Sequence, residues 1–367
     1  MPGVPGRFGD VDDFKPGLEG IVAFETEIAE PDREGGALRY RGVDIEELVG
    51  KVPYEKVWGL LVDDSFEPGM PRAEDMELPA RTGSAMADLQ ASTAELGGHW
   101  RLGQLIDISD EQARDDLARL SAGMISLVAQ SARGEDRVPD DVVAAGDTAA
   151  ERFLLRWRGE ADPRHVRAVD SYWVSAAEHG ANASTFTGRI VASTGADCGS
   201  AMSAAVGALS GPLHGGAPTR VLKMLDEVAE AGDVSQYVRD LLDRGERIMG
   251  FGHRVYRAED PRARVLRRTA HELESPRVDV AEALEQAALE ELKARHPERV
   301  LATNVEFWSA VVLDIADIPP PLFPAMFACA RVAGWSAHIL EQKRWGRLIR
   351  PSAKYVGPAP RSLDTVG

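Results

Sequence analysis

Apolar positions along most of the chain recur at intervals of three and four residues, the spacing of one face of an α-helix. From Asp44 onward, this pattern predicts an almost entirely helical protein. The predicted helices span residues 53–61, 109–128, 139–157, 164–194, 198–209, 218–228, 234–242, 261–273, 280–292 and 324–340. Strand character is found at residues 21–28 and 37–42, with a turn at Glu34-Gly35-Gly36 between them. The sequence therefore predicts a mainly α fold with one small N-terminal β-hairpin.

Two adjoining stretches of predicted helix, between Ala176 and Leu209, are unusually rich in alanine, serine, threonine and glycine. Their interior glycines, such as Gly180, Gly188 and Gly207, each cost roughly 1 kcal/mol of helix propensity relative to alanine. Helices made of such small residues can pack backbone to backbone. We therefore expect a tightly buried helical centre or a subunit interface here.

The composition of the sequence changes after His214, where the pattern predicts conventional amphipathic helices with charged outer faces. Beyond Asn304 the chain becomes apolar again. These shifts predict a large helical domain formed by residues 1–214 and 315–367. A smaller helical domain, residues 215–314, interrupts it.

Composition narrows the class of protein. The chain has 367 residues, a formal charge of −17 and 28% charged residues, which argues against nucleic acid as a partner. No stretch approaches the roughly 18 consecutive apolar residues of a membrane span, and the N-terminus has no apolar signal core. Cys198 and Cys329 stand among small or apolar residues, so we expect buried free thiols. A globular cytoplasmic protein without a membrane partner is predicted.

One arginine-rich stretch, residues 250–268, stands out in this acidic chain. Gly250 and Gly252 bracket His253, so the backbone there can come close to a ligand. Asp260 and Pro261 are typical of a helix start, and Arg262 follows in the first turn, where free N–H groups attract anions. The stretch indicates an anion site, the alternative being a turn followed by a solvated basic helix.

Two further histidines lie in short polar motifs. His214 stands in Gly-Pro-Leu-His-Gly-Gly at a predicted helix end, where it could also be a simple capping residue. His179 and Asn182 are three residues apart, which places them on one face of the predicted helix. A hydrogen-bonded core histidine is the alternative reading of His179.

Three charged residues occupy low-polarity surroundings or the end of the chain. Glu306 lies in Asn-Val-Glu-Phe-Trp, where desolvation would raise its pKa and suit it to act as a base. Arg331 lies inside an apolar helix and needs an anionic partner, and Arg350 stands near the C-terminus. Together with the histidines, these residues predict acid–base chemistry on a small polyanion. Their spacing is not that of metal ligands, so we expect no metal.

The run from Gly250 to Arg262, Gly-Phe-Gly-His-Arg-Val-Tyr-Arg-Ala-Glu-Asp-Pro-Arg, is similar to the citrate synthase signature. Motifs that resemble the same family occur in its order at residues 17–23, 38–42, 179–185, 211–216, 304–309 and 350–357. The resemblance spans nearly the whole chain and is weakest between residues 67 and 162. It implies a mostly α-helical, two-domain homodimer with its active site in the cleft between domains and no cofactor beyond its substrates.

The resemblance also implies roles for the motif residues. Glu306 stands where the family has the aspartate that takes a methyl proton from acetyl-CoA. His214 would stabilise the resulting enol, and His253 would polarise the oxaloacetate carbonyl. Oxaloacetate would be bound by His179, Arg262, Arg331 and, from the partner subunit, Arg350, with Asn182 in support. Gly250, Phe251, Gly252 and Arg257 would lie along CoA.

Two positions depart from the family pattern. The base is a glutamate, and its extra methylene displaces the carboxylate by over ~1 Å, which can cost about 10²-fold in rate unless the backbone compensates. The family's Asp-His-Glu is Glu178-His179-Gly180 here, and Ala176 stands where a second histidine is common. The leading expectation is a citrate synthase. The alternatives are a 2-methylcitrate synthase that uses propionyl-CoA and a low-activity CoA- and dicarboxylate-binding homologue.

Overall fold

The computed structural model describes residues 14–32, 34, 36–79, 81–134, 136–212, 214, 218–252, 256, 259–299 and 301–365. The structure is 59% helical, in agreement with the predicted mainly α class. The α-helices of these residues are α1 Ile45–Leu48, α2 Tyr54–Asp63, α3 Ala85–His99, α4 Asp110–Arg133, α5 Asp140–Ala144, α6 Ala149–Arg158, α7 Pro163–Ala176, α8 Ala183–Ser193, α9 Cys198–Leu209, α10 Pro218–Ala231, α11 Val234–Asp243, α12 Pro261–Glu272, α13 Val278–Arg295, α14 Val305–Ile315 and α15 Phe323–Trp345.

A small antiparallel sheet lies near the N-terminus, with strands β1 Ala29–Asp32, β2 Ala37–Tyr40 and β3 Val43–Asp44 in that order. The predicted hairpin is confirmed, but its first strand was placed too early. Residues 21–26 form no regular structure, and Val22 is 85% exposed. This segment lies mostly exposed on the protein surface.

Two predicted helices are each broken by a local cap. Residues 139–157 divide into α5 and α6 because Thr148 caps α6, its hydroxyl accepting from the Glu151 amide. Residues 164–194 divide into α7 and α8. Gly180 adopts a left-handed conformation, φ +66°, and the Asn182 side chain accepts from the Thr185 amide to start α8. The prediction that His179 and Asn182 share one helical face is therefore wrong, since a loop, residues 177–182, carries both.

Helix α15 forms the centre of the fold. It is buried over most of its length and packs against α2, α4, α7, α8 and α9. The four largest fully buried side chains are Trp58, Trp173, Trp308 and Trp335. Residues from both halves of the chain therefore form the core. Cys198 and Cys329 are buried free thiols, as predicted.

The remaining helices extend this core. Helices α10, α11 and α13 pack on one another, and α12 and α14 pack on each other and on α7. The domain boundaries at residues 214 and 314 are not tested by these contacts and stay a prediction. No helix among the described residues is both long and apolar enough to cross a membrane.

The small residues of α8 and α9 serve close helix packing within one chain. Helix α9 lies against α8 on one side and α3 on the other. At the α3–α9 crossing, a Cβ added to Gly199 would lie 2.9 Å from the Cα of Gly97. At Gly188 of α8, the nearest atom to an added Cβ would be that of Ala205, at an ordinary 3.7 Å.

Gly199→Ala should destabilise the protein by about 1–3 kcal/mol, because the new methyl group meets backbone that cannot move without parting α3 from α9. Gly188→Ala is the matched control, since its methyl fits at van der Waals distance and gains helix propensity. Urea unfolding of the two variants and the parent measures the difference. Equal stability of both variants would contradict this account of the crossing.

Candidate active site

A cavity of about 890 Å³ opens between the 177–182 loop, the start of α14, α15 and the N-terminal segment. Six of the residues singled out in the sequence line it together: His179, Asn182, His214, Arg262, Glu306 and Arg331. Arg350 is exposed and does not line the cavity of its own chain. His253 and Arg257 lie outside the described residues.

His179 is held in place by a contact with Tyr256. Its Nε2 lies 2.9 Å from the Tyr256 hydroxyl, and the two rings meet edge to face at 5.3 Å. Only 9% of His179 is exposed. The contact joins the 177–182 loop to the stretch that follows Gly252, so the two motifs meet in the fold.

His214 belongs to a polar network at the start of α8. Its Nε2 lies 3.0 Å from the Ser184 hydroxyl, which also accepts from Trp335 Nε1 at 3.2 Å and lies 2.8 Å from Asn182 Oδ1. Burial and the positive charge of Arg331 lower the pKa of His214 to about 4. The imidazole is therefore neutral at physiological pH and can act as an uncharged hydrogen-bond donor.

Arg262 is bound by the residue that caps its own helix. The carboxylate of Asp260 accepts from Arg262 Nε at 3.0 Å and Nη2 at 2.8 Å, and it also accepts from the Val305 amide at 3.0 Å. One buried carboxylate thus fixes the starts of α12 and α14 against each other. The base candidate, Glu306, follows directly.

Glu306 occupies the first turn of α14. Asn304 caps this helix by accepting from the Glu306 amide, and its side-chain amide donates to the Gly252 carbonyl at 2.9 Å. Gly252 in turn donates its amide to the Ala302 carbonyl, and Phe251 pairs with Thr303 in an isolated bridge. Hydrogen bonds from the Asn304 side chain and from the backbone therefore connect the residues predicted to lie along CoA to the candidate base, Glu306.

Burial raises the pKa of Glu306 to about 7, against the opposing charge of Arg262. A carboxyl group with a pKa near neutrality retains enough basicity to take a proton from a weak carbon acid. The prediction that desolvation raises the pKa of Glu306 is thus confirmed.

Arg331 has an unusual environment for a charged side chain. It is only 2% exposed, and neither Nε nor Nη1 has a hydrogen-bond partner in the described part of the chain. Its guanidinium lies 4.8 Å from the centre of the Phe327 ring, a neighbour that supplies no acceptor oxygen. Buried donors are normally satisfied, so this arginine is prepared for an anion that enters the cavity.

Glu178 was seen only as a departure from a motif, yet it supports the site. It is fully buried, and His338 Nε2 lies 3.2 Å from its Oε1. Although burial works in the opposite direction, His338 and Arg331 hold the pKa of Glu178 below its ordinary value. Its second oxygen has no partner within the described residues, and sequence spacing gave no sign of its link to α15.

Tyr172 was also missed by sequence reasoning. It belongs to the buried face of α7, lines the cavity and is 3% exposed. In the sequence it was only one of several apolar positions in a helical pattern.

Groups of three or more side chains that could hold a metal ion do not occur within the described ranges.

The comparisons with known proteins agree with this geometry. A family model described as "Citrate synthase, C-terminal domain" matches residues 17–352. The chain belongs to the citrate synthase family. This is a family of acyltransferases that convert the acyl group to alkyl on transfer.

Individual relatives cover nearly the whole chain. "Putative citrate synthase 2" of Mycobacterium tuberculosis is 60% identical over 97% of this chain and 96% of its own length. "2-methylcitrate synthase" of Shewanella oneidensis is 32% identical, covering 95% and 96%. A solved citrate synthase of Thermoplasma acidophilum, in ternary complex with carboxymethyl coenzyme A and oxaloacetate, has a TM-score of 0.82 at 27% identity, covering 96% of this chain and 98% of that one.

Glu306→Gln should stabilise the protein at alkaline pH. The folded protein holds the Glu306 proton up to about pH 7, whereas the unfolded chain loses it near 4.5, so the folded state binds more protons between these values. The contribution of Glu306 to the stability of the parent therefore falls as pH rises from 4.5 through 7. Because the side chain is partly open to the cavity, we expect a gain of about 2 kcal/mol for the variant at pH 8.5 and none at pH 4.

Urea unfolding at both pH values measures this gain. Glu230→Gln, the same change at an exposed position of α10, serves as the control and should leave the pH dependence of the parent unchanged. An identical pH dependence for Glu306→Gln and the parent would show that Glu306 is not a strained buried acid.

Proposed function

We propose that this protein condenses oxaloacetate with an acyl-CoA, acetyl-CoA in the first instance, to give citrate and free CoA. The observation that carries the proposal is Arg331, a buried guanidinium with no acceptor among the described residues, in one cavity with a base whose pKa is about 7 and a neutral histidine. The related Thermoplasma protein binds oxaloacetate and a CoA analogue, which supports the same pair of substrates here.

The first chemical step would be loss of a proton from the thioester methyl group. This carbon is a very weak acid, so its deprotonation needs a base and an enol-stabilising donor that act together. Glu306 would take the proton, and the neutral imidazole of His214 would donate a hydrogen bond to the thioester oxygen. The cavity that holds both groups brings them within reach of one ligand.

The second step would join the enol to the oxaloacetate carbonyl. Arg331 would bind a carboxylate of oxaloacetate through a planar two-point contact, with Arg262 adding positive charge beside it. His179 would contribute a further hydrogen bond from the 177–182 loop, which Asn182 helps to shape. The role of His253 in polarising the carbonyl rests on the sequence resemblance. Hydrolysis of the citryl thioester would then release CoA.

The CoA moiety would lie along Gly250, Phe251 and Gly252, with Arg257 contributing charge as the resemblance implies. Gly250 and Gly252 have φ values of +88° and +84°, which a residue with a side chain rarely adopts. A Cβ at Gly250 would also lie 2.8 Å from the Cβ of Phe307. Both glycines are therefore needed to hold this backbone in the conformation that would lie along CoA. No cofactor beyond the substrates is proposed.

A homodimer in which Arg350 serves the partner's site fits the exposed surfaces. Small residues repeat along the open faces of the adjacent helices α3 and α9: Ala87, Ala91, Ala94, Ser200, Ala204 and Ala208. The tail that carries Arg350 is exposed from residue 350 to 364, with Val356 84% exposed. Such a tail can reach across an interface, whereas Arg350 does not line its own cavity. The cytoplasmic location remains a prediction from sequence.

Propionyl-CoA is the alternative acyl donor, because one relative carries the name 2-methylcitrate synthase. The two donors differ by one methylene, worth roughly 1–3 kcal/mol in an apolar pocket. A binding homologue without turnover is the third possibility. The pKa of Glu306, raised to about 7, supports a working base and therefore turnover.

The test is release of free thiol from acetyl-CoA or propionyl-CoA in the presence of oxaloacetate. We expect oxaloacetate-dependent release, with a rate that rises as pH passes through about 7, where Glu306 loses its proton. Glu306→Gln should abolish turnover while oxaloacetate still binds. Glu306→Asp should slow it, because the shorter carboxylate would lie farther from the methyl group. A parent protein that binds both substrates but releases no thiol would be a binding homologue.

Arg350 in trans can be tested by mixing two inactive variants, Glu306→Gln and Arg350→Gln, after dissociation and reassociation. A mixed dimer has one site with a native Glu306 and a native Arg350 from the partner, so about a quarter of the parent activity should return. If Arg350 acted within its own chain, each site would lack one residue, and the mixture would stay inactive.

A further inference from the structure

Tyr172 is a polar residue of the cavity that the proposed mechanism does not yet use. It lies on α7 one turn before Ala176, and both residues line the cavity. Residues four apart share a helix face, so the tyrosine ring and the alanine methyl look into the same space. The small methyl group leaves that space open beside the tyrosine.

The Tyr172 hydroxyl has no hydrogen-bond partner among the described residues, although the side chain is 3% exposed. The neighbouring buried tyrosines differ in this respect. Tyr40 places its hydroxyl within 3.3 Å of three backbone carbonyls, and Tyr54 lies 2.8 Å from two. Buried hydroxyl groups are satisfied in the great majority of cases. A hydroxyl that faces a cavity without a partner therefore points to a ligand.

The charges around Tyr172 indicate what that ligand is. Burial raises the pKa of the hydroxyl, while Arg331 and Arg262 are positive charges close enough to oppose the rise, and Glu306 is also near. The phenol is thus an uncharged donor beside two arginines. Such a group complements a carboxylate that the arginines already attract, because it adds a hydrogen bond without adding charge.

We propose that the Tyr172 hydroxyl is a direct substrate ligand, donating a hydrogen bond to the carboxylate of the dicarboxylate that Arg331 binds. This inference rests on the proposed function for the identity of that substrate and adds a recognition residue on α7. Glu306 is the other acceptor nearby, but no hydrogen bond joins it to Tyr172. The orphaned donors of Arg331 and the hydroxyl of Tyr172 would be satisfied by one ligand.

The experiment is calorimetric titration of oxaloacetate into the parent protein and into Tyr172→Phe. A hydrogen bond to a charged group corresponds to roughly a ten- to hundred-fold change in affinity, so Kd should rise by that factor. The KM for acyl-CoA should stay unchanged. The Tm should not fall, because the hydroxyl has no partner within the chain to lose.

Two further variants are compared with Tyr172→Phe, one that should keep oxaloacetate affinity and one that should lose it. Tyr237→Phe makes the same chemical change where the hydroxyl donates to Glu227 at 2.6 Å, outside the cavity, and should leave oxaloacetate affinity at the parent value. Arg331→Lys should weaken oxaloacetate binding as Tyr172→Phe does, since it keeps the charge but loses the planar fork.

Equal Kd values for the parent and Tyr172→Phe would overturn the inference. So would a fall in Tm with equal losses for both substrates, which would show a structural role. A parent that binds no oxaloacetate would overturn it as well. A parent that binds oxaloacetate without releasing thiol would refute the proposed function alone, and a weakened Tyr172→Phe complex would then still support the inference.

Discussion

The site depends on a buried chain of hydrogen-bonded polar and charged side chains that begins at Glu178. His338 lies between Glu178 and Arg189, with its Nδ1 2.9 Å from Arg189 Nη1 and its Nε2 3.2 Å from Glu178 Oε1. Arginine can only donate, so Nδ1 accepts and the proton on Nε2 is directed at the carboxylate. Arg189, itself fully buried, pairs with Glu341. Arg189 and Glu341 thereby compensate each other's charge, and Glu178 receives a hydrogen bond from His338, which reduces the cost of burying these charges.

This buried chain of side chains also joins the parts of the molecule that surround the cavity. Glu341 accepts from the Thr26 hydroxyl and the Glu27 amide, which fastens the N-terminal segment to α15. Glu178 fastens the 177–182 loop to the same helix, and Gly334 is required there because a Cβ would collide with the carboxylate. The negative charge of Glu178 partly offsets the burial of Arg331. Glu178 therefore helps Arg331 to remain charged although no acceptor among the described residues contacts its Nε or Nη1.

Local signals account for what the sequence predicted well. Residues 198–209 form a helix as predicted, and Asp260 caps α12 as its position before a proline indicated. The break between α7 and α8 was missed because its signals, Gly180 and Asn182, occur within a helix-favouring run of alanines. The signature motifs identified five residues of the cavity, and Arg331 was found as a charged residue within an apolar helix. Tyr172 and Glu178 could not be found in this way, because their roles depend on neighbours more than a hundred residues away.

Burial produces two opposite pKa shifts in one cavity, and both favour the same chemistry. It raises the pKa of Glu306 to about 7 and, with Arg331, lowers that of His214 to about 4. Above neutrality, the first group is an ionised base and the second an uncharged donor, which is the pair that enolisation needs. A bound dicarboxylate would add negative charge beside Glu306 and raise its pKa further, while the positive charge of Arg262 opposes that rise. Arg262 therefore does more than attract the substrate, because it also favours the ionised form of the base.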